Sequence, residues 1–62
     1  MIDKTAVIHP SAQIADDAII GPYVVIGENV KIGHRTRVIS NAHIEFAEIG
    51  DDCTISPFAT IG

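Results

Sequence analysis

The feature that most constrains this chain is an aliphatic side chain at every sixth position. The series begins at Ile2 and runs without exception to Ile44. The spacing then shortens once to five residues, giving Ile49, and resumes at Ile55 and Ile61. Six residues match neither the helical period of about 3.6 residues nor the strand period of two. A smaller side chain stands two residues before these positions, which predicts one very short strand per repeat with both side chains on one side.

Glycine and proline are confined to their own places in this repeat. All five glycines directly follow an aliphatic position, and all three prolines occupy the place after that. The next place is often acidic or an amide, as at Asp17, Asn29, Asn41 and Asp52. Proline followed by Asn or Asp suits the two central residues of a β-turn. Each repeat is therefore predicted to be a short strand followed by a tight turn.

Turning in the same sense after every strand winds the chain into a coil. Three strands and three corners close a triangular turn of 18 residues, which stacks the aliphatic residues in columns. Ile26 lies in the middle of one column and is expected to be buried. The five-residue step keeps the register, since it returns Ile55 over Val38. It therefore predicts a tightened corner near Phe46 in a prism of about three and a half coils, whose strands lie about 4.8 Å apart.

Length and composition exclude several classes of protein. A chain of 62 residues makes one small domain that is marginal alone, and its single cysteine rules out a disulfide. Eight acidic against four basic residues argue against a nucleic-acid surface. No apolar run approaches the ~20 residues of a membrane span, and the start lacks the pattern of a secretory signal. One cysteine and no signal predict a cytoplasmic location.

The repeat of aliphatic residue, glycine and small residue resembles that of the bacterial hexapeptide-repeat transferases. That resemblance implies an all-β fold, a left-handed parallel β-helix, whose hand runs against the usual right-handed crossover. The stretches "IDKTAVIHPSA" and "SPFATIG" resemble the amino-terminal coils of one family, the acyl-[acyl-carrier-protein]–UDP-N-acetylglucosamine O-acyltransferases. The likeness covers all 62 residues, although "HIEFAEIG" is one residue shorter than the usual corner.

The resemblance also implies a function for the parent enzyme. Members of the family begin lipid A biosynthesis by moving an (R)-3-hydroxyacyl chain from acyl carrier protein to UDP-N-acetylglucosamine. They are cytoplasmic homotrimers that use no cofactor, and their active sites lie between subunits. Their catalytic histidine and substrate-binding residues lie in later coils, before a helical carboxy-terminal domain. Residues 1–62 match neither part, so we assign no catalytic, cofactor-binding or metal residue and expect one inactive, architectural β-helix segment.

The three histidines are candidates for a general base or a metal site. His9 and His34 lie in turns, and His43 points outward from a strand. His34 is about half a coil from the other two, which are themselves two coils apart, near 10 Å by the strand spacing. They are therefore expected to be separate surface histidines within one chain. A trimer could bring histidines of different chains together, as in the related β-helical carbonic anhydrases.

The acid pairs and the cysteine favour structural roles. Asp16-Asp17 and Asp51-Asp52 recur at the same corner, where we expect turn formers with solvated carboxylates. Cys53 occupies a small inward position and is expected to behave as a small buried hydrophobe.

Lys31, Arg35 and Arg37 form a loose basic cluster that we expect to be a solvated face. The chain is net acidic, as acyl carrier proteins are, so it is a poor surface for docking them. The strands of the last partial coil should leave an open edge, which predicts association through the carboxy-terminal end. The amino-terminal end, with Asp3 and Lys4, is expected to be the better capped.

Two alternatives remain open at this point. The chain could belong to another hexapeptide enzyme, such as the N-acyltransferase of the same pathway or a small acetyltransferase. Residues beyond Gly62 would discriminate between these. It could instead be a non-catalytic β-helical scaffold or interaction module.

Overall fold

Every regular element of the protein is a strand. The computed structural model describes all of residues 1–62, which form ten two-residue strands separated by turns. The structure contains no helix, so it has no helix that is long and apolar enough to cross a membrane. In chain order the strands are β1 Val7–Ile8, β2 Gln13–Ile14, β3 Ile19–Ile20, β4 Val25–Ile26, β5 Lys31–Ile32, β6 Arg37–Val38, β7 His43–Ile44, β8 Glu48–Ile49, β9 Thr54–Ile55 and β10 Thr60–Ile61.

The strands stack into three parallel sheets, one for each face of a triangular prism. The orders are β1-β4-β7-β10, β2-β5-β8 and β3-β6-β9, so each strand pairs with the third strand after it. Ile2 adds an isolated parallel bridge to Ile20 at the start of the third sheet. The predicted all-β, left-handed parallel β-helix is confirmed, with three strands to each coil.

The register confirms the columns and the position of the shortened repeat. Ile26 pairs with Ile8 on one side and with Ile44 on the other. Val38 pairs with Ile55, so the five-residue step costs no register. The residue removed comes from the corner at Phe46, where the backbone φ is 50°.

The core runs up the middle of the prism and is completed only in its central coils. Ten residues are buried, among them Ile26, which is 1% exposed, as the column predicted. The inward side chains of the first and last coils, such as Ile8, Ile14, Ile55 and Ile61, are half-buried and pack against this core. They have a stacked coil on one side only, so the burial of each column falls off towards both ends.

The corners of the later coils share a left-handed backbone conformation. The residue before each inward small side chain has a positive φ from the second coil onward, at Tyr23, Asn29, Arg35, Asn41, Phe46, Asp52 and Phe58. Asn and Asp suit this region, but bulky residues enter it rarely. The corresponding first-coil residues Thr5, Ser11 and Asp17 do not have positive φ. The turn positions were therefore predicted correctly, while their conformation depends on the coil.

Glycine follows the strands because neighbouring coils approach closely there. A Cβ built on Gly21 would overlap the carbonyl oxygen of Ile39 in the next coil. Gly21 itself does not have positive φ, so space rather than backbone conformation requires it. At Gly50 no atom lies within 4 Å of the corresponding position. The same place in the repeat therefore carries a steric requirement in one coil and none in another.

Candidate functional site

The densest group of polar side chains lies at one corner of the prism, where the turns between β2 and β3, β5 and β6, and β8 and β9 stack. We call this group the charged corner. It holds Asp17 from the first coil, His34 and Arg35 from the second, and Asp51 and Asp52 from the third. Each side chain sits at its turn position because the repeat returns the chain to this corner once per coil.

Arg35 joins the three coils at this corner. Its Nε donates to Asp52 Oδ1 at 2.8 Å and its Nη2 donates to Asp52 Oδ2 at 3.2 Å, so the two side chains form a bidentate ion pair. The other side chain within ion-pair distance is Asp17, at 3.9 Å from Nη1. The hydrogen bond from Arg35 lowers the pKa of the Asp52 carboxyl, and the same bond raises the pKa of the guanidinium.

His34 makes two further links across the same corner. Its Nδ1 donates to Asp17 Oδ1 at 3.0 Å, and its backbone N–H donates to Asp51 Oδ1 at 2.7 Å. Asp17 Oδ1 also accepts the backbone N–H of Arg35 at 3.1 Å. This backbone bond is the largest reason that the pKa of the Asp17 carboxyl is lowered.

Two predictions about charge need correction here. The carboxylates of Asp17, Asp51 and Asp52 are not simply solvated, because each accepts a hydrogen bond from the second coil. The basic residues do not form one cluster either. Lys31 and Arg37 lie on strands of different sheets, and the guanidinium of Arg35 is paired with acids at the corner between them.

The other two histidines lie away from the charged corner. His9 Nδ1 accepts the backbone N–H of Ser11 at 3.0 Å and lies 2.9 Å from its hydroxyl oxygen. His43 Nε2 is 3.6 Å from Glu45 Oε1, with the side chain half-exposed. Because β1 and β7 are separated by β4 in the same sheet, His9 and His43 are two coils apart, as the repeat predicted.

These groups lie on open surface and form no cluster of metal ligands. No three His, Cys, Asp or Glu side chains converge closely enough to hold a metal ion. The charged corner is exposed, with half of the Asp17 side chain and 60% of the His34 side chain accessible to water. A general base works best in a site that excludes water and aims it at one proton. The hydrogen bonds and ion pairs of the charged corner link three turns of successive coils.

Cys53 is less enclosed than its inward position suggested. It is half-buried, and its Sγ lies 3.5 Å from the carbonyl oxygen of Asp51. Its backbone N–H donates to the hydroxyl of Thr36 at 3.3 Å, and that buried hydroxyl donates to Gly50 at 2.6 Å. The predicted buried side chain is only half-buried, because Cys53 belongs to the third coil and is covered from one side only.

Two hollows lie on the face of the sheet β2-β5-β8. Two shallow depressions of about 410 and 520 Å³ share the outward side chains of Gln13, Lys31 and Glu48. The first reaches Phe46 at one edge, and the second reaches Asp51 at the other. They are open hollows lined by both polar and apolar groups, and neither contains a histidine.

The ladder of Asp17, Arg35 and Asp52 was missed in the sequence, although a signal for it exists. The three residues are 18 and then 17 positions apart, the spacing that the aliphatic columns already require. Applying the coil period to the corner residues, as well as to the strand residues, would have placed opposite charges one above another.

Comparison with known proteins agrees with this architecture. The family described as the GMPPB C-terminal domain matches residues 2–62. This chain belongs to that family. A relative from Thermodesulfovibrio yellowstonii, named acyl-[acyl-carrier-protein]–UDP-N-acetylglucosamine O-acyltransferase, is 56% identical over 62 residues, covering 98% of this chain and 24% of the relative. The resemblance found in the sequence is confirmed.

Solved structures and a second class of relative define how far the likeness extends. The crystal structure of Francisella novicida UDP-N-acetylglucosamine acyltransferase matches with a TM-score of 0.97 and 51% identity, over 100% of this chain and 23% of that one. A protein from Hyphomonas neptunium named bifunctional protein GlmU is 33% identical over 58 residues, 94% of this chain and 13% of the relative. The chain thus spans about a quarter of the acyltransferases that it matches.

Proposed function

We propose that residues 1–62 form the amino-terminal coils of a UDP-N-acetylglucosamine 3-O-acyltransferase. The parent enzyme would transfer an (R)-3-hydroxyacyl chain from acyl carrier protein to the sugar nucleotide, as the first step of lipid A biosynthesis. It would act in the cytoplasm as a homotrimer without a metal or other cofactor. The observation that carries the proposal is identity of 56% with such an enzyme across 98% of the chain.

Within this chain the role we propose is architectural. The aliphatic columns and the charged corner stabilise a prism on which later coils can stack, and the described side chains include no enclosed polar site. The parent needs a general base to take the proton of the sugar hydroxyl, and a histidine in a later coil would supply it. His9, His34 and His43 do not serve, because each lies on open surface away from the other two.

The alternatives are less well supported. Another hexapeptide enzyme would share the aliphatic and glycine positions, which the β-helix itself demands. Identity is 56% with the O-acyltransferase relative and 33% with the bifunctional protein GlmU relative, and this difference favours the O-acyltransferase. A scaffold without catalysis would need only the columns, whereas this chain is 56% identical to a relative that is named as an enzyme.

A segment exchange tests the proposal directly. Residues 1–62 would replace the matching segment of the Thermodesulfovibrio yellowstonii acyltransferase. We expect the hybrid to transfer labelled 3-hydroxyacyl from carrier protein to UDP-N-acetylglucosamine at a rate within about tenfold of the unaltered enzyme, because catalysis is differential stabilisation by residues elsewhere.

Two matched hybrids make the result specific. One carries the corresponding segment of the Hyphomonas neptunium relative, and the other carries this chain with Ile26→Asp, which places a charge in the core. Both should be impaired in assembly or activity. A folded but inactive hybrid with this chain would contradict the proposal, as would equal activity with the Hyphomonas segment.

A further inference from the structure

From Asn41 onward, each corner is tied to the coil before it by a backbone hydrogen bond. The N–H of the left-handed corner residue donates to the carbonyl of the middle of the turn one coil earlier, as from Asn41 to Pro22 at 3.0 Å and from Phe46 to Glu28 at 2.8 Å. Asp52 and Phe58 make the equivalent bonds to His34 and Ser40. These bonds form a ladder along the three edges of the prism.

The first coil makes the same links in a different way. The corner N–H groups of the second coil donate to side-chain oxygens instead of carbonyls: Tyr23 to Thr5 Oγ1 at 2.9 Å, Asn29 to Ser11 Oγ at 3.2 Å and Arg35 to Asp17 Oδ1 at 3.1 Å. At all three corners a side-chain oxygen is the acceptor in place of a carbonyl. All three first-coil residues also lack the positive φ of the corresponding residues in later coils. A short oxygen-bearing side chain therefore replaces the turn carbonyl throughout the first coil.

The first coil also uses its own corner N–H groups internally. Thr5 N–H donates to Asp3 Oδ1 at 2.9 Å, and Ser11 N–H donates to His9 Nδ1 at 3.0 Å. A further coil stacked on the amino-terminal side would have to provide acceptors for these two N–H groups. Asp3 also accepts the hydroxyl hydrogen of Thr5 at 2.7 Å. The same hydroxyl accepts the Tyr23 N–H, so Asp3 and Thr5 together link the first coil to the second. At the third corner Ala15 stands in the place of Asp3 and His9 and has no side-chain acceptor.

We propose that the first coil is a built-in terminator, which caps the edge ladder and keeps a second copy of this chain from stacking on the amino-terminal end. Continuation of the edge ladder needs corner donors that face outward, and two of the three corner N–H groups of the first coil are occupied. Open strand edges recruit other chains unless the sequence opposes it, and repeat proteins use specialised terminal repeats for this purpose. This role accounts for His9, Asp3 and Thr5 without chemistry, and it does not depend on the acyltransferase proposal.

Amide hydrogen exchange tests the capping bonds one at a time. Thr5→Val removes the hydroxyl with little change in shape, and Thr5→Ser keeps it. We expect the Tyr23 amide to exchange at least about tenfold faster in the Val variant and within about threefold of the unaltered chain in the Ser variant. The Asn41 amide, bonded to Pro22, is the internal control for global unfolding. Equal exchange at Tyr23 in both variants, after correction by Asn41, would overturn the proposal.

Sedimentation tests the consequence for association. A variant carries the second-coil turn residues in the first coil: Asp3→Gly, Lys4→Pro, Thr5→Tyr, His9→Gly, Pro10→Glu and Ser11→Asn. The mass of the unaltered chain should reach a plateau as concentration rises, because copies can meet only through their carboxy-terminal ends. The mass of the variant should keep rising as copies stack head to tail. A plateau in both, or an unlimited rise in the unaltered chain, would show that the first coil does not terminate stacking.

Discussion

Two alanine substitutions at equivalent glycines should change stability in opposite directions. Gly21 and Gly50 occupy the same place in the hexapeptide, and neither has positive φ. A Cβ on Gly21 would overlap Ile39 O and lie 3.0 Å from Val38 O, both backbone atoms of the next coil. A Cβ on Gly50 would meet nothing within 4 Å. The coils must therefore separate at the first site and need not move at the second.

The size of the effect follows from how rigid those neighbours are. Gly21 donates its N–H to Val38 O at 2.8 Å, so separating the coils also weakens this bond. Overpacking of this kind costs about 1–3 kcal/mol. Gly50→Ala should instead stabilise the chain by about 0.4–1 kcal/mol, because alanine restricts the unfolded chain more than glycine does. A domain of 62 residues has a total stability of roughly 3–9 kcal/mol, so the first change removes a substantial part of it.

Urea unfolding followed by circular dichroism measures both effects. With a slope of about 1 kcal/mol per molar urea, the midpoint should fall by about 1–3 M for Gly21→Ala and rise by up to about 1 M for Gly50→Ala. Gly27→Ala is a second member of the first class, since its Cβ would lie 2.8 Å from Cβ of Glu45. If all three variants shifted the midpoint equally, glycine would be required by the turn itself and the argument from stacked coils would be wrong.

Three further outcomes follow from the packing and the charges. Ile26→Ala should cost about 2–5 kcal/mol, whereas Val7→Ala, at a side chain that is 62% exposed on the same sheet, should change the urea midpoint little; similar losses would refute the columns. Arg35→Gln should raise the pKa of Asp52 back towards its ordinary value of 3.8, as read by carbon NMR titration, and an unchanged pKa would show that the ion pair does not form in solution. Folding lowers the pKa of three carboxyls from 3.8, so their contribution to stability is fully present above that ordinary value. The contribution is lost as the pH falls below 3.8 and through the lowered pKa values of the folded state. The urea midpoint should therefore drop on acidification, less so in high salt, and a midpoint that rises would contradict the sign. These carboxyls are Asp3, Asp17 and Asp52.

The strands and their register could be predicted because buried positions recur at a fixed interval along the sequence. Each inward position needs an aliphatic side chain of similar size, so the period of the coil is visible in residues such as Ile26 and Val38. The shortened repeat at Phe46 was interpretable for the same reason, since the five-residue step from Ile44 to Ile49 locates the loss and Ile55 stays in its column.

The corners were less predictable, because tertiary contacts decide their conformation. Tyr23 and Phe58 enter the left-handed region although their own preferences oppose it, since the neighbouring coil supplies a hydrogen-bond acceptor for the N–H of each. The ion pairs of Arg35 were missed because charged corner residues were considered one turn at a time. Exposure of Cys53 depends on how many coils cover it, which the repeat alone does not specify.

The most direct test of the central claim, that these residues build a frame and perform no chemistry, is an acyl-transfer assay on the isolated chain. Purified residues 1–62 would be incubated with labelled 3-hydroxyacyl carrier protein and UDP-N-acetylglucosamine. The account predicts no transfer above the uncatalysed rate, because a general base alone is worth about 10²–10⁴ in rate and no enclosed base is present. Turnover that is lost when His9, His34 or His43 is changed to Ala would contradict it.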